Sequence, residues 1–283
     1  MCDQTTIRVR AEGLDKFYTN ASVVSHCLNI LQSKYVWNEW DLVIEPSAGN
    51  GSFLAKIPSS KKIGLDILPE HPDIVKCDFF DYSVAEKNVL VVGNPPFGRV
   101  SSLAIRFFNH AASMSNVIAF IIPRTFRRIS IQNKLDRNFH LVFDEEIATN
   151  PCAFSPPMMV KCCFQIWEKR SYARENVILA TTHPDWQFMQ LGAIDANGQP
   201  TPPNGADFAI RAYGGCCGEI KQTNLGELRP KSWHWIKSNI ATDVLIERFS
   251  KLDYSNSQNT ARQNSMGKGE LVALYISFIN AVV

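Results

Sequence analysis

The apolar positions of the chain change period as it runs. Val23, Val24, Cys27, Leu28 and Leu31 fall on one helical stripe behind Thr19 and Asn20, two residues suited to capping a helix. Short apolar runs follow at 42–44, 62–67, 74–77, 89–93 and 116–122, and they predict five strands; 139–147 and 161–169 predict a sixth and a seventh. Helical patterns at 103–112 and 126–135 lie between strands, and another helical stretch follows the turn-rich EPSAGNGS after the first run. Such alternation predicts an α/β fold whose mostly parallel seven-stranded sheet is covered by helices on both faces. Sheets of this kind take ligands at the carboxyl ends of their strands, where the motifs of this chain fall.

Beyond Arg170 the texture changes. A Pro/Gly/Asn loop, DANGQPTPPNGAD (195–207), lies among predicted strands at 177–182, 208–213 and 233–237. Two helical patterns, 240–252 and 270–281, flank a polar stretch at 253–269. The reading is a main domain over 1–170 and a small α+β extension over 171–283.

Composition narrows this picture. With 283 residues, 45% of them hydrophobic, the chain can fill one large core and a smaller one, and its 20% charged residues do not describe a disordered protein. The net charge of +2 neither demands nor excludes a polyanionic partner. The eight cysteines form no C-x-x-C pair, and the vicinal pairs Cys162–Cys163 and Cys216–Cys217 lack histidines at ligand spacing, so no metal is expected. Unpaired cysteines without a signal peptide suggest an intracellular, soluble protein of the cytoplasm or nucleoid. The apolar runs at 117–122 and 271–283 are too short to span a bilayer.

Three segments carry chemistry. In EPSAGNGSF (45–53), Gly49 and Gly51 allow a sharp turn and close approach to a ligand, but Leu54 breaks the dinucleotide fingerprint G-x-G-x-x-G, and no Walker phosphate loop occurs. Asp66 ends the second predicted strand, where a carboxylate can accept from ribose hydroxyls; considered alone it reads as an ordinary loop aspartate. Asp78, after the third strand, has the same ambiguity: it could accept from an adenine amino group, with Phe79 covering the ring. NPPFG (94–98) is the most informative segment. Two prolines remove two backbone donors and hold the chain extended, so the Asn94 side-chain oxygen and the Pro95 carbonyl form a rigid pair of acceptors. Such a pair can hold an amino group conjugated to an aromatic ring and direct its lone pair at an electrophile, with no strong base. Phe97 offers a face on which a flipped-out base can stack.

With its four residues Asn94, Pro95, Pro96 and Phe97, the chain resembles the amino-methyltransferase branch of the class I S-adenosylmethionine-dependent methyltransferases, whose catalytic signature is [N/D]-P-P-[Y/F/W]. The similarity covers roughly residues 14–169 and implies a Rossmann-like methyltransferase fold. It further implies S-adenosylmethionine as cofactor and Asn94, Pro95, Pro96 and Phe97 as catalytic residues. Glu45, Pro46, Ser47, Ala48, Gly49, Gly51 and Phe53 match its cofactor segment, with Asp66 and Ile67 at the ribose position and Asp78 and Phe79 framing the cofactor's adenine. KFYT (16–19) resembles the segment touching the methionyl part, through Phe17, Tyr18 and Thr19, and Asn94 borders the cofactor as well. The upstream placement of KFYT is typical of adenine-N6 enzymes. Many glutamine and tRNA enzymes of the branch carry Tyr where this chain has Phe97.

PRTFRRISIQNKLDR (123–137) sets five cations against one acid at the active edge. Arg124, Arg127, Arg128 and Lys134 are therefore expected to meet phosphates. The resulting expectation is adenine-N6 methylation of nucleic acid, DNA ahead of RNA, with the extension reading the target and any restriction or accessory partner left open. Glutamine-N5 methylation and a catalytically silent binding subunit are the lesser alternatives. Trp233 and Trp235 share one strand face and are read as packing, and His234 as a hydrogen-bonded or surface histidine.

Overall fold

The apolar runs of the first half pair side by side into one twisted layer. The computed structural model describes residues 16–282, and the chain divides into two compact units, Met1–Asn176 and Val177–Val283. In the first unit the chain runs through β1 (Tyr18–Thr19), α1 (Ala21–Lys34), β2 (Leu42–Glu45), β3 (Lys62–Asp66), β4 (Ile74–Lys76), β5 (Val89–Gly93), α2 (Ser102–Met114), β6 (Val117–Pro123), α3 (Ile129–Gln132), β7 (Phe139–Ile147), β8 (Phe154–Ser155) and β9 (Cys162–Lys169). Seven of these strands form a sheet in the order β4-β3-β2-β5-β6-β9-β7. From β4 to β6 the neighbours are parallel, and β9 is antiparallel to both β6 and β7. This is the Rossmann-like, mostly parallel seven-stranded sheet that the pattern predicts.

Strands covered on both faces must be apolar at every position, and the central two are: VLVVG in β5 and VIAFIIP in β6 are buried throughout. One face of the sheet carries Ile44, Val89, Val91, Ile118, Phe120 and Ile122, which join the α2 residues Ala104, Phe107, Phe108 and Ala111 in one core. Phe108 sets its ring edge-on to Phe139 and Trp167. Beside Trp167, Glu168 turns to the other face, where it accepts from Tyr35 Oη just beyond α1 at 2.7 Å; His26 of α1 pairs with Glu145 of β7 at 2.8 Å.

Four details differ from the sequence reading. After β2 there is no regular helix but a run of turns, with Ala55 N donating to Gly51 O and Ile57 N to Phe53 O. The helix expected over 126–135 shrinks to α3, because Arg128 takes an extended conformation and separates α3 from the tight turn Arg124–Arg127. Asn20 precedes α1, but its side chain donates to Cys152 O at 2.8 Å instead of capping the helix. Residues just past 170 stay with the first unit, since Arg174 donates from its backbone to Arg137 O and from Nε to Phe139 O.

The second unit has its own sheet, β10 (Trp186–Phe188), β11 (Phe208–Arg211), β12 (Ile220–Lys221) and β13 (Trp233–Ser238), antiparallel in the order β10-β13-β11-β12. Its helices α4 (Thr242–Ser250) and α5 (Lys268–Val282) contribute Phe249, Leu271 and Tyr275 to a core with Trp186, Phe208 and Ile236. The strand predicted at 177–182 is absent, and Ile178 is 87% exposed; the edge of the sheet is taken by β10. Trp233 and Trp235 are buried with Ala209, and His234 bonds the Met266 carbonyl at 2.8 Å. Among the described residues no helix is long and apolar enough to cross a membrane.

Gly64 of β3 leaves the room that the turn after β2 occupies: a Cβ there would lie 2.7 Å from Leu54 Cδ2 and 3.1 Å from Ala48 Cβ. Gly64→Ala is therefore expected to destabilise the protein by about 1–3 kcal/mol through overpacking. Urea unfolding measures this, and an unchanged midpoint would contradict the close contact.

Candidate active site at the carboxyl ends of β2 and β5

Strand order reverses at β2, which pairs with β3 on one side and β5 on the other, so the chain leaves these two ends in opposite directions and opens a crevice. The glycine turn leaves β2 and NPPFG leaves β5. Ser47 Oγ bridges them by donating to Asn94 O at 3.3 Å.

The glycine turn is locked from several sides. Gly49 and Gly51 have φ of +52° and +80°, the left-handed region that glycine enters without cost. Ala48 N donates to Leu65 O, and the Asp66 carboxylate accepts from Gly49 N and from Leu68 N, each at 2.8 Å. Asp66 thus ties the turn to the end of β3, and an ionised carboxylate bound by two amides keeps lone pairs for a ligand. Glu45 supports the turn from beneath. It is 3% exposed and accepts from Leu54 N at 2.7 Å; burial pushes its pKa up to about 8 against the opposing effect of the backbone amides it binds.

Several residues that the family resemblance assigns to a ligand also serve the support. Glu45, Pro46, Ala48 and Phe53 are buried. Phe79 is buried too, stacked on Phe107 at 5.3 Å with the His110 ring against it at 4.7 Å, so its face is already covered. Asp78 is exposed and caps the turn Phe79–Asp81 by accepting from Phe80 N, and Ile67 is exposed.

The upstream segment reaches both loops, Phe17 at Asn94 and Tyr18 at Gly49. β1 pairs with β8, which brings Tyr18 opposite Ser155 and Thr19 opposite Phe154. Tyr18 Oη and Lys16 Nζ both donate to Glu70, at 2.7 and 2.8 Å, and these bonds hold the Glu70 carboxyl below its ordinary pKa. A Cβ on Gly49 would come within 3.0 Å of the Tyr18 ring. Sequence pattern does not single out Glu70; only its pairing with two residues more than fifty positions earlier reveals the latch.

Asn94 follows β5 and donates from Nδ2 to Phe17 O at 3.3 Å, while its Oδ1 is buried with no hydrogen-bond partner. Among the described residues the Pro95 carbonyl accepts no hydrogen bond. Thr19 Oγ1, close in sequence to Phe17, is also buried without a partner. A buried acceptor left unmade costs free energy, so Asn94 Oδ1 and Thr19 Oγ1 are candidates for contact with a ligand. Phe97 is half-buried, and its carbonyl accepts from Leu103 N and Ala104 N, which fixes the start of α2.

The basic run is partly paired with acids. Arg127 pairs with Asp144 through Nε and Nη2 and with Glu146 through Nη1 at 2.8 Å, and Arg124 pairs with Glu146. Gln165, fully buried, donates to Asp144, and Trp167 Nε1 donates to Gln165. The acids of β7 that face this run cannot be foreseen from the run alone. Arg124 and Arg127 therefore close the end of the sheet and are already compensated, whereas Lys134 is exposed and Arg128 half-buried.

No protein-family profile and no curated protein matches the sequence. Remote likenesses exist to solved structures. One is the 23S rRNA methyltransferase ErmE, 14% identical over 59% of this chain and 74% of that one, with a TM-score of 0.41. A dimethyladenosine transferase from Plasmodium falciparum is 15% identical over 54% of this chain and 62% of that one, at 0.39. The magnesium protoporphyrin IX methyltransferase of Synechocystis PCC 6803, solved with S-adenosylmethionine bound, is 10% identical over 53% and 79%, at 0.39. Likenesses this remote carry no weight for function.

Glu45 yields a test of the site's electrostatics. Because its folded pKa lies above the ordinary carboxyl value, the folded state holds a proton that the unfolded chain gives up. Its contribution is complete below about pH 4.5 and is lost as the pH rises through about 8. Glu45→Gln keeps an acceptor for Leu54 N and cannot ionise, so its melting temperature should fall less over that window than that of the unaltered protein. Parallel pH profiles would count against a buried neutral carboxyl.

Proposed function

We propose that this chain is an S-adenosylmethionine-dependent methyltransferase that methylates the N6 amino group of adenine in a nucleic acid, DNA ahead of RNA. The observation that carries the reading is the buried, unpartnered Asn94 Oδ1 beside the unbonded Pro95 carbonyl, at the strand end where the sheet order reverses.

The residues present fit the cofactor. Thr19 Oγ1 is buried without a hydrogen-bond partner, and the turn after β2 holds Gly49 and Gly51 in the left-handed region. Asp66 would take the ribose hydroxyls on its remaining lone pairs. Phe17, Tyr18, Thr19 and Ser47 would line the methionyl side, with Ile67 and the exposed Asp78 at the adenine side. When bound, S-adenosylmethionine supplies a methyl group made electrophilic by its sulfonium. Asn94 Oδ1 and Pro95 O accept the two amino hydrogens of adenine and aim the nitrogen lone pair out of the ring plane. Pro95 and Pro96 contribute no backbone donors that would compete for these oxygens. The positive charge that forms on the nitrogen is met by the same two oxygens until a proton leaves to solvent. Phe97 presents a ring to the base.

Arg128 and Lys134 remain assigned to the polymer, supported for Lys134 by its exposure, and Arg124 and Arg127 are withdrawn from that role. Target reading is assigned to the second unit, which has a core of its own.

Methyl transfer from labelled cofactor to duplex DNA, single-stranded DNA and RNA, followed by nucleoside analysis, tests the reading. Asn94→Ala should leave cofactor affinity within a few-fold and slow single-turnover transfer by about 100-fold or more, the scale for losing one preorganised electrostatic group. Phe97→Ala should weaken capture of the base, and Phe97→Trp should retain more activity because a flat face remains. Transfer by Asn94→Ala at the unaltered rate would overturn the mechanism.

A further inference from the structure

Immediately after NPPF the backbone enters a conformation its residues resist. Val100 has φ 52° and ψ 38°, and Ser101 has φ 61° and ψ 17°. Ser102 N donates to Arg99 O, which closes a four-residue turn with both central positions left-handed. Proteins normally build this turn from Asn and Gly, and a β-branched residue is among the least suited to it. Packing of the Val100 side chain does not explain the choice, since it is 76% exposed.

The turn is nevertheless firmly anchored. Ser101 is 3% exposed, and its hydroxyl lies 2.7 Å from that of Thr125 at the end of β6. Phe97 O takes two amides of α2, and at Gly98 a Cβ would come within 2.7 Å of Leu103 Cβ, so the base of the turn lies close against α2. Arg99, Val100 and Ser102 of the turn are exposed, and Ser101 between them is buried. Arg99 is exposed and, among the described residues, makes no ion pair, in contrast to Arg124 and Arg127.

We propose that the Arg99–Val100 tip is a wedge for base-paired nucleic acid: Val100 enters the stack as the target adenine leaves it, and Arg99 meets the flanking phosphate. This rests on the adenine-N6 reading above and deepens it to substrates whose target is paired. An exposed apolar side chain held rigidly three residues from the stacking ring of Phe97 gains cover by filling the vacated space, as apolar wedges do between base steps. A strained turn with no packing of its own tip persists where that conformation serves a function. A target already unpaired needs no wedge, because the cost of extruding it has been removed.

The full-length protein is assayed in single turnover on unmethylated genomic DNA, native and heat-denatured, and on duplex RNA and its separated strands, with N6-methyladenine quantified. Val100→Asn and Val100→Gly both accept the left-handed turn. Each should melt a few degrees higher than the unaltered protein, since strain is relieved. Each should also lose about tenfold on the paired form of the preferred polymer while staying within about twofold on the unpaired form. Arg99→Ala should flatten the salt dependence of binding. An unchanged paired-to-unpaired ratio in both Val100 variants would overturn the wedge, as would an equal loss on both forms, which assigns the turn to the shape of the active site. If the unaltered protein methylates adenine in none of the four substrates, the adenine-N6 reading fails and the wedge falls with it; that outcome is distinct from a failure of the Val100 ratio alone.

Discussion

An amide side chain has a donor end and an acceptor end, and committing one decides where the other points. At Asn94 the Phe17 carbonyl takes the nitrogen, so the oxygen is left unbonded in a buried place. The strand beneath fixes the position of the amide, because β5 is held between β2 and β6 and is buried along its whole length. The prolines that follow keep the next carbonyl from turning inward to a ladder. The glycine turn is tied to the same residue through Ser47, which donates to the Asn94 carbonyl, and the unbonded oxygen carries a desolvation cost.

Electrostatically the edge is less cationic than its sequence. The acids of β7 reach the cations at the end of β6 and pair with them, which leaves that part of the sheet rigid and nearly compensated. Glu45 goes the other way: burial favours its neutral form, so it braces the glycine turn with little field of its own at neutral pH. Asp66 and Asp78 keep a side to water, and both accept from backbone amides.

What the sequence made legible follows from how each feature is encoded. Apolar runs specify buried parallel strands directly, so β2, β3, β5, β6, β7 and β9 emerge at nearly their observed bounds, and the glycines and prolines mark both loops at the point of reversal. Features that depend on distant partners leave no local trace. The two-residue pairing of β1 with β8 is too short to show a period, and the neutralisation of Arg124 and Arg127 needs acids on another strand. The burial of Phe53 and Phe79 illustrates the same limit: an aromatic in a ligand-binding pattern and one in a core look alike until their neighbours are known. The left-handed Val100 runs against local preference altogether, and a pattern reading passes over it.

The short pairing of β1 with β8 has a kinetic consequence. The bond from Asn94 to Phe17 spans 77 positions, and the bond from Asn20 to Cys152 that secures the same segment spans 132. Contacts so far apart in the chain close at a large entropic cost and form after local ones. During synthesis the strands from β2 to β6 have what they need to assemble while β8 is still unmade, yet the segment carrying Phe17 has no strand to dock on. The orientation of the Asn94 amide is therefore among the last features to be fixed, and a growing chain acquires its sheet well before it acquires a working site.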